Sequence, residues 1–152
     1  MTPELVFSIA NVLALLSWLL LVVLPRRLWV ANSVGIGVTT LLAAVYIALI
    51  AANWSGSSGG FSTLANVAQL FANPWMLLAG WVHYLCFDLL VGCWEVRDAR
   101  ERAVPHMLVI PCLVLTFMFG PAGWLLYQGV KSAYPRPYEG PDSLSASTKL
   151  SP

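Results

Sequence analysis

The chain has 152 residues, 59% of them hydrophobic and only 10% Asp, Glu, Lys or Arg, with a formal net charge of +1. A mean hydropathy of +0.75 excludes an ordinary soluble domain, and the near-zero charge with no basic stripe excludes a nucleic-acid partner. The hydrophobic residues collect in runs close to the roughly 20 residues that a membrane crossing needs, so an all-α, multi-pass membrane protein is expected.

The N-terminus, MTPELVF, lacks the positive n-region of a secretory signal. The first apolar run, residues 5–24, therefore reads as a retained span that stops at Pro25, Arg26 and Arg27. A second span is expected over residues 28–52. Residues 53–73 carry no charge. Their first half, NWSGSSGG, reads as a flexible loop. In the second half Phe61, Leu64, Val67, Ala68 and Phe71 fall at helical spacing, with Ser62 or Thr63 as cap. A short interfacial helix is expected there.

The third span, residues 74–94, starts with a proline, where a missing N–H costs nothing. The fourth is expected over residues 106–130, bent by Pro111 and Pro121, and completes a four-helix transmembrane domain over residues 1–131. Residues 132–152 are rich in Pro, Ser and Gly and read as a disordered polar tail. The Lys/Arg bias of short loops orients the bundle. Arg26 and Arg27 lie in one loop and Arg97, Arg100 and Arg102 in another, so both loops are expected in the cytoplasm and both termini outside. Lys131, Arg136 and Lys149 in the tail argue the other way. The chain has no Arg- and Ser-rich transit segment, and a bacterial inner membrane is the expected location.

Cys86, Cys93 and Cys112 all fall in expected helices. Seven residues of helix separate the first two by roughly 10 Å, beyond the reach of a disulfide. All three read as small buried side chains.

The third span carries most of the chemistry. Asp88 sits inside the apolar run PWMLLAGWVHYLCFDLLVGCW, and so does His83. A carboxylate near the centre of a membrane helix costs about 2.5–3.5 kcal/mol on insertion scales, so such residues face a protein interior or a wet cavity. On a helical wheel Asp88 shares a face with Trp81, Tyr84, Gly92 and Glu95, and Tyr84 is its i,i+4 neighbour. His83 lies on a different face, near Phe87, Leu90 and Trp94. The two are not spaced to converge on one metal ion, as an i,i+4 pair would be. On the fourth span His106, Leu113, Thr116, Gly120, Gly123 and Tyr127 line up, and the two glycines admit close approach of a helix or a flat ligand. The connection EVRDARERAVP is short, so the last two spans are antiparallel neighbours, with Glu95, Asp98 and His106 expected at similar depth. Acid–base chemistry by a buried carboxyl and a histidine fits this set. A carboxylate–imidazole metal site is the alternative.

Residues 73–127 resemble the neoxanthin-synthase-like membrane family named for an abscisic-acid-deficient plant. The residues that carry the likeness are W-x-H-Y-L-x-F-D-L from Trp81 to Leu89, G-x-W from Gly92 to Trp94, then Asp98, Arg100 and His106. P-C-L from Pro111 to Leu113 and T-x-M-F-G-P-x-G from Thr116 to Gly123 complete it. The resemblance implies a membrane enzyme acting on a carotenoid or other isoprenoid lipid. The family's plant members are linked to conversion of violaxanthin into neoxanthin. That epoxide opening is redox-neutral, so it implies proton transfer and no obligatory cofactor. The likeness carries His83, Asp88, Asp98, Arg100 and His106 as catalytic candidates, and geometry adds Glu95. Trp81, Tyr84, Thr116, Gly120, Gly123 and Tyr127 are the substrate-binding candidates. A non-catalytic pigment-binding or scaffold subunit, and a metal-dependent carotenoid oxidoreductase, are the other readings. Membrane lipids and a second copy of the chain are the expected partners.

Overall fold

The structure, a computed structural model, describes residues 2–24 and 27–136. Among these residues it is all helical, with no strand. Three helical stretches are long and apolar enough to cross a membrane: Pro3–Val23, Trp29–Gly56 and Pro74–Glu101.

Helix α1 (Pro3–Val23) is capped by Thr2, whose side chain accepts from the Leu5 N–H, and has proline in its first turn. The second span is built from α2 (Leu28–Ser33), a π-helical turn at Val34–Val38 and α3 (Thr39–Asn53). Within the π turn Gly35 lies against Cys93, where a Cβ would come within 3.2 Å of the Cys93 Cβ. The Thr39 hydroxyl donates back to the Gly35 carbonyl. Arg26 of the first loop lies outside the described residues, and Arg27 is exposed.

Helix α4 (Leu64–Phe71) forms where the apolar spacing predicts it, and Thr63 is its cap, accepting from the Asn66 N–H at 3.2 Å. Its inward residue is Leu70, while Leu64 is 85% exposed. Asn73 then closes the loop: its side chain accepts from the Trp75 N–H and donates to Ser57.

Helix α5 (Pro74–Glu101) is the centre of the molecule and packs against every other α-helix. At 28 residues it is about 42 Å long, against a hydrocarbon thickness of about 30 Å. Its surplus is the charged segment at the C-terminal end. Trp18 of α1 packs against Gly92, where a Cβ would come within 2.4 Å of the indole ring, and meets Phe117 edge-on. Trp18 is thus a core residue.

The expected fourth span is two helices. Pro111 is accommodated inside α6 (His106–Phe119), but the chain breaks at Gly120 and restarts with Pro121 as α7 (Pro121–Ser132). Gly120 has φ +42°, a region that disfavours residues with a Cβ, and Pro121 takes the first helical position of α7. The chain then doubles back. A Cβ at Gly123 would fall within 2.1 Å of the Thr116 nitrogen and 2.5 Å of the Cys112 carbonyl. At 14 and 12 residues, about 21 and 18 Å, neither arm is long enough to cross.

This reversal changes where the chain ends. The start of α1 meets the start of α5, through Asn11 accepting from the Trp81 indole N–H at 3.0 Å. The end of α7 returns to the far end of α5, where Arg102 donates to the Tyr134 carbonyl. The two ends of the described chain therefore lie at opposite ends of the bundle, where four full spans would have put them together. Lys131 and Arg136 join Arg97, Arg100 and Arg102 at one end. The remaining tail, residues 137–152, lies outside the described residues.

Two tests follow from the reversal. All three native cysteines are buried, so single-cysteine labelling has little background. Ser57→Cys and Ala133→Cys should label from opposite faces of the membrane, and labelling from one face would contradict the hairpin. Gly120→Ala should destabilise the protein by about 1–3 kcal/mol, the usual cost of a strained backbone site, as read by unfolding in detergent.

Candidate functional site

Helix α5 presents three carboxylates to the α6–α7 hairpin, and each meets a different part of it. Asp88 lies at the tip, Glu95 in the middle and Asp98 at the open end. The i, i+7, i+10 spacing keeps them near one side of the helix.

Asp88 is half-buried against the turn. A Cβ at Gly120 would come within 2.7 Å of Asp88 Oδ1, so only glycine fits beside the carboxylate. Asp88 Oδ2 is buried and has no hydrogen-bond partner among the described residues. Tyr84 stands one turn away, but its hydroxyl donates to the Phe117 carbonyl at 3.2 Å. Phe117 is four residues before Pro121, which has no N–H to give it. Tyr84 therefore satisfies a carbonyl that the proline leaves open, and its phenol also interacts with the Asp88 carboxyl one turn along without pairing Oδ2.

Glu95 is fully buried, and Oε1 accepts from the Thr116 hydroxyl at 3.0 Å. Its second oxygen, Oε2, has no partner among the described residues. Buried polar atoms are nearly always paired, and these two carboxyl oxygens on one helix face are exceptions among the described residues, as is Gln128 Nε2.

Asp98 is the opposite case. Its Oδ2 accepts from Arg102 Nε at 2.8 Å and from the Tyr127 hydroxyl at 2.9 Å, and its Oδ1 accepts from Arg136 Nη2 at 2.8 Å. Arg136 also pairs with Glu101 at 2.9 Å. The hydrogen bond to Asp98, then the Glu101 charge, hold the Arg136 guanidinium even above its normal high range. Tyr127 meets Trp94 edge-on, and the Lys131 ammonium lies 4.9 Å over the Trp94 ring. Asp98 thus fastens the open end of the hairpin to α5.

The histidines stand apart from Asp88. His83 is exposed and packs between the Tyr46 and Phe87 rings, at 5.4 and 4.6 Å. His106 bonds the Val22 carbonyl through Nε2 at 2.9 Å, and with Arg100 lines a cavity at the charged end. The start of α6 is about 20 Å along the helix axis from its tip, so His106 does not share the Asp88 site. It is also not level with Glu95, which meets Thr116 ten residues further along. Among the described residues no three His, Cys, Asp or Glu side chains converge as a metal-binding group.

An apolar groove of about 540 Å³ opens on the other side, between the starts of α1 and α5 and the end of α4. Phe7, Phe71, Leu77, Leu78 and Trp81 line it. The Trp81 ring lies 5.4 Å from Tyr84, so one aromatic step separates the groove from the Asp88 turn. Of the expected site residues, Asp88, Tyr84 and Gly120 come together, with Trp81 adjoining. Glu95 and Thr116 form a second pair, and Tyr127 and Asp98 a third. Gly123 serves the hairpin's own packing. Arg102 and Arg136, read from sequence only as a loop charge and a tail charge, are the residues that sequence reasoning missed.

Two substitutions separate the parts of the Asp98 network. Tyr127→Phe should cost about 1.5–3 kcal/mol, the worth of a hydrogen bond to a charged group. Arg136→Gln, which removes a side chain that is 57% exposed, should cost clearly less. The reverse ranking in detergent unfolding would mean that the tail, and not the hairpin, carries the Asp98 contact.

No curated protein and no solved structure matches the chain. A family model does, described as ABA4-like (ABA DEFICIENT 4-like), over residues 5–127. That match takes in every helix of the bundle from α1 into α7, including the acidic face of α5 and the hairpin laid on it, and the protein belongs to the ABA4-like family.

Proposed function

We propose that this protein is a membrane enzyme that rearranges a carotenoid- or xanthophyll-like lipid by redox-neutral acid–base chemistry, with Asp88 as the proton-transfer group. The family match supports a carotenoid-related role. The observation that carries the finer reading is the unpartnered Asp88 Oδ2 at the Gly120 turn, beside an apolar groove. A volume of about 540 Å³ falls in the range of small-molecule sites. A long isoprenoid can lie along it and bring one polar end group past Trp81 to Asp88.

In an epoxide opening of this kind a carboxylate removes a proton from carbon while the epoxide C–O bond breaks. The oxygen leaves with the electron pair and takes up a proton to become a hydroxyl. Atoms and electrons balance without an oxidant. Tyr84 holds the Phe117 carbonyl, which keeps the turn in place, and Gly120 leaves room at the carboxylate. Glu95 lies two helical turns closer to the charged end and supplies a second carboxyl for proton exchange. Arg100 and His106 have no part in this step, because their cavity is at the other end of α6. By the Lys/Arg bias, the end carrying Arg97, Arg100, Arg102, Lys131 and Arg136 faces the cytoplasm, and the α6–α7 hairpin enters and leaves the membrane on that side.

The test is Asp88→Asn, which keeps the shape and removes the titrating group. Pigment profiles of lipid extracts from a carotenoid-producing host should show product with the native chain. The variant should lose it by about a hundredfold or more while remaining inserted and folded. Full product formation by Asp88→Asn would rule out the catalytic role and favour a pigment-binding subunit.

A further inference from the structure

His83 is a polar side chain on the outer surface of the bundle, deep in the membrane. It follows Pro74, the first residue of α5, by nine positions, about 14 Å along the axis. The hydrocarbon layer is about 30 Å thick, and the surplus length of α5 is at its other end, so His83 lies close to the midplane. It is exposed, and its ring meets Tyr46 of α3 at 5.4 Å and Phe87 at 4.6 Å. Neither the imidazole nor the Tyr46 hydroxyl has a hydrogen-bond partner among the described residues. We propose that this face is the contact between two copies of the chain, with His83 of each copy hydrogen-bonded to Tyr46 of the other. The contact is independent of the reaction assigned to Asp88.

Ionisable residues within membrane helices face a protein interior or a wet cavity, because hydrocarbon supplies no hydrogen-bonding atom. His83 faces neither within one copy. A phospholipid carries its polar atoms at the headgroup, about 15 Å from the midplane, and cannot serve it. Another membrane helix can, and histidine is among the side chains that bond across helix interfaces. Neutral imidazole has one donor and one acceptor nitrogen, and a phenol hydroxyl both donates and accepts. The pair is therefore self-complementary.

The membrane then fixes the geometry. Two copies inserted in the same orientation are related by a twofold axis along the membrane normal. In such an isologous interface residue i meets j, and j meets i. Residues paired in this way must lie at the same depth. His83 and Tyr46 do, since their ring centres are only 5.4 Å apart. Phe87 and Leu90, four and seven residues after His83, lie on the same side of α5. Both are exposed, and they supply the apolar contact around the bonded pairs.

The experiment uses the full chain in lipid bilayers, with association read by single-molecule fluorescence over a range of protein-to-lipid ratios. The native chain should form dimers. His83→Leu and Tyr46→Phe should each weaken dimerisation about tenfold, since either change removes both symmetric hydrogen bonds. His83→Gln, which keeps a donor and an acceptor, should retain most of it and so separates the lost bond from misfolding. Oxidative cross-linking reads the register, with little background because the native cysteines are buried. Chains carrying Tyr46→Cys, mixed with chains carrying His83→Cys, should cross-link more efficiently than either alone. Ala48→Cys, at an exposed position on the other side of α3, should not cross-link. A native chain that stays monomeric at every ratio would overturn the interface, as would unchanged dimerisation in both His83→Leu and Tyr46→Phe. Equal cross-linking through Ala48→Cys would reduce the contact to random collision. A monomer that loses bound pigment in His83→Leu would give this face to the polar end of a lipid ligand instead.

Discussion

The contact of Gly120 with Asp88 is the constraint on which the rest of the arrangement depends. A reversal of the chain beside a carboxylate needs a residue that tolerates positive φ and has no Cβ, and both demands fall on one position. Pro121 then restarts the helix and leaves the Phe117 carbonyl open, which Tyr84 fills. The turn is therefore held from α5 by a phenol and crowded by a carboxylate. From there the two arms run back along the acidic face, with Thr116 on Glu95 and Tyr127 on Asp98.

The three carboxylates show how one helix face serves different ends. Asp98 has three donors around it, two of them arginines, an arrangement that fixes geometry. Removing one partner of such a buried group is costly because the rest of the network is left unsatisfied. Asp88 and Glu95 each keep one oxygen without a partner among the described residues. Stability alone gives no reason to retain such groups in an apolar core. The structural carboxylate lies at the charged end and the unsatisfied ones lie deeper, so the hairpin is anchored at its mouth and chemically open toward its tip.

The hairpin also resolves the charge pattern. With four complete spans, Lys131 and Arg136 would lie opposite the arginines of the α5–α6 connection. With α6 and α7 folded back, these basic residues gather at one end, and the Lys/Arg bias becomes consistent along the described chain. The same fold separates two regions that the sequence places in a single site. Asp88 is at the tip of the hairpin, whereas Arg100 and His106 are at its base with a cavity of their own.

Much of this was legible in the sequence. Apolar runs fixed the long helices, Thr63 and Pro74 marked helix starts, and the wheel correctly set His83 on a different face from Asp88. The family likeness, carried by residues from Trp81 to Gly123, was legible too, because a motif of spaced Trp, His, Asp, Gly and Pro survives without any knowledge of contacts. The reversal at Gly120 was not. A Gly-Pro step within a hydrophobic run fits a kink as well as a turn, and the difference lies in what the second arm packs against. Local sequence held no sign that Gly123 would meet Cys112 and Thr116, or that Arg136, beyond the last apolar residue, would reach Asp98. Helix positions follow from periodicity along the chain. Which carboxylate is tied down and which is left open depends on residues far away in sequence, and only the tertiary structure decides it.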